Sequence, residues 1–251
     1  MLVIGFIGSI LLGPTTMLIM MLAVYGLGFV ELFRLKSIPF TLPAALLPAS
    51  GALLIMVVYG RLQLGMNPVW LFLPASMWVA GFLCLRNLRI GSLVLFWIAI
   101  PLSSFLATAW LPEGSWNPLL PIAVISLVWV NDTFAYVSGS LLGKHSMTPK
   151  LSPGKTWEGF VGGMLFTMLS GWIFYHFTGL QTAFTWISAG AVAGTFGLAG
   201  DLFESGLKRK HHVKDSGQLL PGHGGILDRF DSLLFVAPAI FLLILLLQLF
   251  T

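Results

Sequence analysis

The sequence predicts an all-α integral membrane protein, a polytopic bundle of eight to nine transmembrane helices in a single membrane domain over residues 1–251. Three observations carry this reading. Hydrophobic residues make up 57% of the chain and charged residues only 9%, with a mean hydropathy of +0.93. A soluble domain carries about 25% charged residues, so this chain has too few to cover a water-facing surface. The apolar stretches are long and continuous, as in 232–250, unlike the short alternating strands of a membrane β-barrel. Finally, the basic residues fall on alternate loops, as they do in a chain threaded repeatedly through a bilayer.

A helix needs about 20 mostly apolar residues to cross the hydrocarbon core. On that rule, spans are expected near 15–33, 41–59, 69–85, 91–111, 119–141, 159–178, 183–204 and 232–250. Residues 1–12 are apolar too, but Gly13 and Pro14 cut them short. They read as a short or tilted first span, or as a half-inserted segment. The N-terminus has neither a basic region nor a small-residue cleavage site, so it is assigned to the membrane domain and not to a removed signal peptide. Pro39, Pro43, Pro68, Pro112 and Pro118 fall at span edges, where a missing backbone donor costs little. No solenoid or inverted repeat is visible.

One set of alternate loops holds Arg34, Lys36, Arg86, Arg89, Lys144, Lys150, Lys155, Lys208, Arg209, Lys210, Lys214 and Arg229. The opposite set holds Arg61 alone, which accounts for all 13 basic residues. The positive-inside rule puts the first set in the cytoplasm and the C-terminus outside. A bacterial-type inner membrane is the expected location. The single cysteine, Cys84, excludes an intramolecular disulfide and a cysteine-based zinc site.

Two cytoplasmic segments, 142–158 and 205–231, are the long polar stretches. Seven of the nine acidic residues lie between 132 and 231: Asp132, Glu158, Asp201, Glu204, Asp215, Asp228 and Asp231. Glu31 sits at a span end and Glu113 in an outer loop. A carboxylate within a span is costly and turns to a polar interior or a partner. Asp132, midway along its apolar run, is the clearest case. A structural ion pair is the bland alternative for any one of these groups. Several acids and bases gathered on one membrane face speak for a site.

In the second segment, Pro221, Gly222, Gly224 and Gly225 force an irregular turn whose backbone amides can face an anion. Lys208, Arg209, Lys214 and Arg229 are residue types that bind phosphate. Asp228 and Asp231 are three apart and share a face if a helix starts there. Carboxylates of this kind suit magnesium, which combines a few of them with waters and substrate phosphates. The first segment contains Gly154-Lys155-Thr156, but position 149 is proline where a nucleotide P-loop has glycine, and that motif is excluded. Lys155 is instead expected to contact a phosphate, and Trp157 to anchor at the interface. His145 and His176 have no nameable partner, and His211 and His212 are expected in solvent or near headgroups.

The stretch Ser205 to Asp231 resembles the signature of the phosphatidate cytidylyltransferase (CDP-diglyceride synthetase) family. It has a Ser-x-apolar-Lys-Arg start, then Lys214-Asp215, a small residue, His223-Gly224-Gly225, and an Asp228-Arg229-apolar-Asp231 finish. Gly200 to Ser205, Asn131 to Tyr136 and Ser152 to Glu158 resemble the family's neighbouring segments. The resemblance is specific over roughly 131–231. It divides the chain into N-terminal spans (about 1–111), a catalytic part (about 119–231) and a last span (about 232–250).

The resemblance implies that CTP and phosphatidic acid, taken from the membrane lipid, give CDP-diacylglycerol and pyrophosphate, with Mg2+ and room for a second cation. It implies metal binding first by Asp201 and Asp228, with Asp132, Asp215 and Asp231 second. Lys155, Lys208, Arg209, Lys214, His223, Gly224, Gly225 and Arg229 are the implied phosphate-binding set, and Asp215 and Asp231 are grouped with the catalytic residues. The lipid phosphate is itself the nucleophile, so Ser205 is expected as a hydrogen bonder and His223 as a structural or phosphate-contacting residue. A related enzyme using CTP on another lipid, including a polyprenol kinase, is the alternative. A transporter would carry its charge near the midplane. Nucleic acid is not an expected partner, and a homodimer is compatible with the sequence without any motif that requires it.

Overall fold

A computed structural model describes residues 2–36, 42–85, 93–111, 114–149, 151–211, 213, 216–217 and 224–249. The described chain is almost wholly helical. Its helices are α1 (Leu2–Leu11), α2 (Pro14–Leu35), α3 (Leu42–Leu64), α4 (Phe72–Leu85), α5 (Ile100–Thr108), α6 (Leu119–Leu142), α7 (Trp157–Thr178), α8 (Ala183–Lys210) and α9 (Leu227–Leu249). A 3-10 turn, Pro68–Leu71, leads into α4, and a π-helical run, Leu93–Ala99, leads into α5.

Six of these helices are long and apolar enough to cross a bilayer. Two shorter apolar stretches, Pro68–Gly81 and Leu93–Thr108, fall where two more spans were expected. The polytopic helical bundle of the sequence reading is therefore the observed class, and the chain is an integral membrane protein. The N-terminal stretch forms a separate ten-residue helix, about 15 Å long at 1.5 Å per residue. That is half of a ~30 Å hydrocarbon core. Gly13, at φ 130°, makes the break before Pro14 opens α2. Thr16 ties the corner by donating to the carbonyls of Ser9 and Gly13 at 2.7 and 2.8 Å.

Two compact units emerge. One comprises Met1–Pro118 with Asp215–Leu227, the other Leu119–Lys214 with Asp228–Thr251. In the first, α3 packs on α2, α4 and α5. Its core includes Phe6, Ile10, Met17, Met21, Leu47 and Phe105, with the Phe6 and Phe105 rings 5.7 Å apart. Tyr25 on α2 donates its hydroxyl to the carbonyl of Pro48 on α3 at 3.0 Å, which satisfies a polar group inside an apolar bundle.

In the second unit α7 packs between α6 and α8. Its small residues make this possible. A Cβ at Gly163 would lie 2.7 Å from the Asn131 side-chain oxygen, and one on Gly190 of α8 would lie 2.5 Å from the Thr167 carbonyl. Apolar attraction between helices is weak in lipid, so close backbone packing of this kind supplies the association energy. Phe134 and Phe166 stack in parallel at 3.8 Å across the α6–α7 seam.

The described parts of the two polar segments carry regular structure that a loop reading does not expect. Segment 142–158 contains an antiparallel hairpin, β1 (Ser146–Thr148) and β2 (Ser152–Thr156), with Ser146 opposite Thr156 and Thr148 opposite Ser152. Thr156 then caps α7, its hydroxyl accepting the Gly159 N–H at 3.1 Å. In segment 205–231, Ser205 to Lys210 continue α8 for more than a turn beyond the expected end at 204. Nothing in those residues breaks a helix, and the three basic side chains of the last turn favour its C-terminal dipole. At the other end, α9 already begins at Leu227.

Candidate active site

Within the second unit, a cavity of about 260 Å³ opens between α6, β2, α7 and α8. Asp132 and Tyr136 come from α6, Gly154 and Lys155 from β2, Phe160 from α7, and Leu198 and Asp201 from α8. The hairpin explains the position of Lys155. A short strand running directly into a capped helix start holds the lysine in the cavity lining. Its ammonium forms an ion pair with Asp201. Asp132 faces the same pair.

One turn further along α8 lies a second group. Lys208 donates to Glu204 at 3.3 Å and to Asp228 of α9 at 2.7 Å. Glu204 is 1% exposed, and among the described residues its other oxygen has no hydrogen-bond partner. Asp231 is buried in the next turn of α9, near Asp201 and Glu204. Its Oδ1 accepts the Ser232 N–H at 2.7 Å. Gly200 sets the approach of the two helices, because a side chain there would run into the Asp231 backbone carbonyl. Ser232 also donates to the Gly197 carbonyl at 3.3 Å. The helical register expected for Asp228 and Asp231 is thus present, but the two side chains differ: Asp228 meets Lys208, and Asp231 is enclosed.

Arg209 and Arg229 are exposed, at the end of α8 and the start of α9. Lys214, Asp215 and His223 lie outside the described residues, as do Pro221, Gly222 and His212. Gly224 adopts φ 79°, a left-handed value natural to glycine. Among the described residues, no three His, Cys, Asp or Glu side chains converge closely enough to hold a metal ion by themselves.

Two residues acquire roles the sequence reading did not assign. Glu31, set aside as a span-end acid, is 1% exposed. Its carboxylate accepts the N–H groups of Ile226 and Leu227 at 2.7 and 2.9 Å and the Ser216 hydroxyl at 3.2 Å. The backbone amides that meet this carboxylate belong to Ile226 and Leu227, just after the glycines, so the anion here is a side chain of the protein itself. Gly217 and Gly225 lie so close to Glu31 that a Cβ would come within 2.8 and 2.6 Å of its oxygens. The available signal was the lone carboxylate near the end of an apolar span, which needs a buried partner. His145, read as partnerless, pairs through Nδ1 with Glu158 at 2.6 Å, and its N–H donates to the same carboxylate at 3.3 Å. This bridge joins the start of the hairpin to the start of α7.

Two lysine–aspartate pairs, one of them on a cavity, suit a site for anionic groups. Residues 1–247 match the Cytidylyltransferase family, which is nearly the whole chain. The chain belongs to that family. Cytidylyltransferase relatives include proteins named phosphatidate cytidylyltransferase from Staphylococcus aureus (strain COL), Staphylococcus epidermidis (strain ATCC 12228 / FDA PCI 1200) and Staphylococcus saprophyticus. The first is 47% identical over 120 residues, covering 47% of this chain and 46% of the relative. The second is 49% identical over 119 residues and the third 48% over 120, each with the same coverage. The matched stretch thus spans about half the length of these curated relatives.

Proposed function

We propose that this chain is a phosphatidate cytidylyltransferase, joining CTP to phosphatidic acid with release of pyrophosphate at the cytoplasmic face of a bacterial inner membrane. The observation that carries the reading is the cavity with Lys155 paired to Asp201 beside Asp132. It combines ammonium for phosphate with carboxylate for a cation, next to helices that lie in lipid.

The donor set fits magnesium. This ion uses one or two protein carboxylates and completes its shell with water and substrate phosphates. A few aspartates without an all-protein cage are what such a site requires. Asp201 and Asp228 would hold the cation first, with Asp132, Asp215 and Asp231 as second candidates. When bound, the cation neutralises polyphosphate charge and stabilises the pentacovalent phosphorus. Lys155 and Lys208 are the first candidates to bind phosphate oxygens, with Arg209, Lys214, Arg229 and the amides of Gly224 and Gly225 as further candidates. The lipid phosphate is already ionised near neutral pH, so in-line attack on the α-phosphorus of CTP needs no strong base. The residues orient two anions and offset their repulsion.

Purified protein in detergent, given labelled CTP, phosphatidic acid and magnesium, is expected to form CDP-diacylglycerol and pyrophosphate in equal amounts. No turnover with any acyl form of the lipid, or formation of CDP with a phosphorylated lipid, overturns the proposal.

A further inference from the structure

Each of the two aspartates assigned first to the cation under the function proposed above is bonded to a lysine assigned to phosphate. Lys155 pairs with Asp201, and Lys208 with Asp228. The two pairs use different elements, β2 with α8 and α8 with α9, so they are not one contact counted twice. Asp132, Glu204 and Asp231 lie beside them. These five carboxylates outnumber the two ammonium groups.

This balance constrains entry. A polyphosphate arriving alone finds both lysines already engaged by aspartates. A cation arriving alone has to displace an ammonium from its aspartate, leaving Lys155 with Asp132 alone nearby and Lys208 with Glu204 alone, and losing a partner from a buried charge is costly. When both arrive, each lysine moves to a phosphate oxygen as the cation takes its aspartate. No charge loses an opposite partner. Lysine suits such an exchange, because its ammonium is a point charge on a flexible four-carbon stem.

We propose that Lys155 and Lys208 are exchangeable counter-ions: each occupies a cation-binding aspartate in the nucleotide-free enzyme and passes to phosphate when the cation binds, so that cation and nucleotide bind cooperatively. Such coupling is reciprocal, and the cost of displacing each lysine is readable from the cation side as the cation affinity gained when that lysine is removed. This inference rests on the proposed site.

The test uses Mn2+ as the probe, with free Mn2+ measured by electron paramagnetic resonance on the purified full chain without CTP. Lys155→Met is expected to bind Mn2+ at least fivefold more tightly than the unsubstituted protein, and adding Asp201→Asn is expected to remove the gain. Lys208→Met with Asp228→Asn forms the second, independent arm, and serves alone if Lys155→Met fails to fold by circular dichroism. Lys155→Gln is the milder variant of the first arm. Unchanged or weaker Mn2+ binding in folded lysine variants overturns the exchange, since a lysine that only binds phosphate or only braces the fold would give that result. Turnover of CTP with phosphatidic acid is measured on the same unsubstituted preparation. Turnover without the Mn2+ gain overturns the exchange and leaves the activity. The gain without turnover overturns the activity and leaves the exchange.

Discussion

Lys208 on α8 donates to Asp228 on α9 at 2.7 Å, across 20 residues of chain. The same ammonium reaches Glu204 one turn back on its own helix. It therefore holds two carboxylates in an environment where they and the lysine are 15% exposed or less. Removing a buried partner leaves uncompensated charge, at a cost of about 3–5 kcal/mol. Lys208→Met is expected to lower the thermal midpoint in detergent by several degrees, and Glu204→Gln in the same chain to recover part of the loss. A double-mutant cycle followed by circular dichroism measures the coupling.

Glu31 braces the last polar segment from α2. Glu31→Ala leaves two backbone donors and the Ser216 hydroxyl without their acceptor, at roughly 2–4 kcal/mol in total. Glu31→Gln keeps one oxygen as acceptor and is expected to lose about half as much. Thermal unfolding of the two variants in parallel checks the order.

Asp201 faces the cavity and pairs with Lys155, whereas Asp228 pairs with Lys208. If both hold the cation, Asp201→Asn and Asp228→Asn are each expected to reduce turnover by two or more orders of magnitude while the fold persists. Steady-state pyrophosphate release with a parallel melting curve decides this, and near-normal activity removes that residue from the cation site.

Gly200 has no space for a side chain against the Asp231 backbone. Gly200→Val is expected to push α8 and α9 apart and to cost about 1–3 kcal/mol or more, as overpacking does. Gly154, with open space around it, is the control: Gly154→Ala is expected to leave the melting midpoint within about 0.5 kcal/mol of the parent. Loss of stability at both positions would show that glycine content, and not the α8–α9 approach, sets the effect.

The helical architecture was legible because bilayer thickness and the absence of water act on every span alike. Apolar runs such as 119–141 and 183–204 reappear as α6 and α8 with ends shifted by a few residues. The hairpin of 146–156 was not legible, since its strands are three and five residues long and carry no alternating apolar pattern. Asp228 and Asp231 could be placed on one helical face from their spacing. That one meets a lysine and the other is buried depends on which side of α9 the close approach at Gly200 selects.

Composition, run length and loop charge by themselves determined that this chain is a many-spanning helical membrane protein, and its polar segments pointed to phosphate and cation chemistry. Those are sums over many residues, and they tolerate error at any one. The tertiary structure alone decided the partners: Lys155 with Asp201, Lys208 with Asp228 and Glu204, His145 with Glu158, and Glu31 with the turn before α9. Apart from the Glu204–Lys208 step along one helix, these contacts join residues that periodicity along the sequence does not relate. A buried charge takes its partner from whatever the packing of small residues brings within about 3 Å.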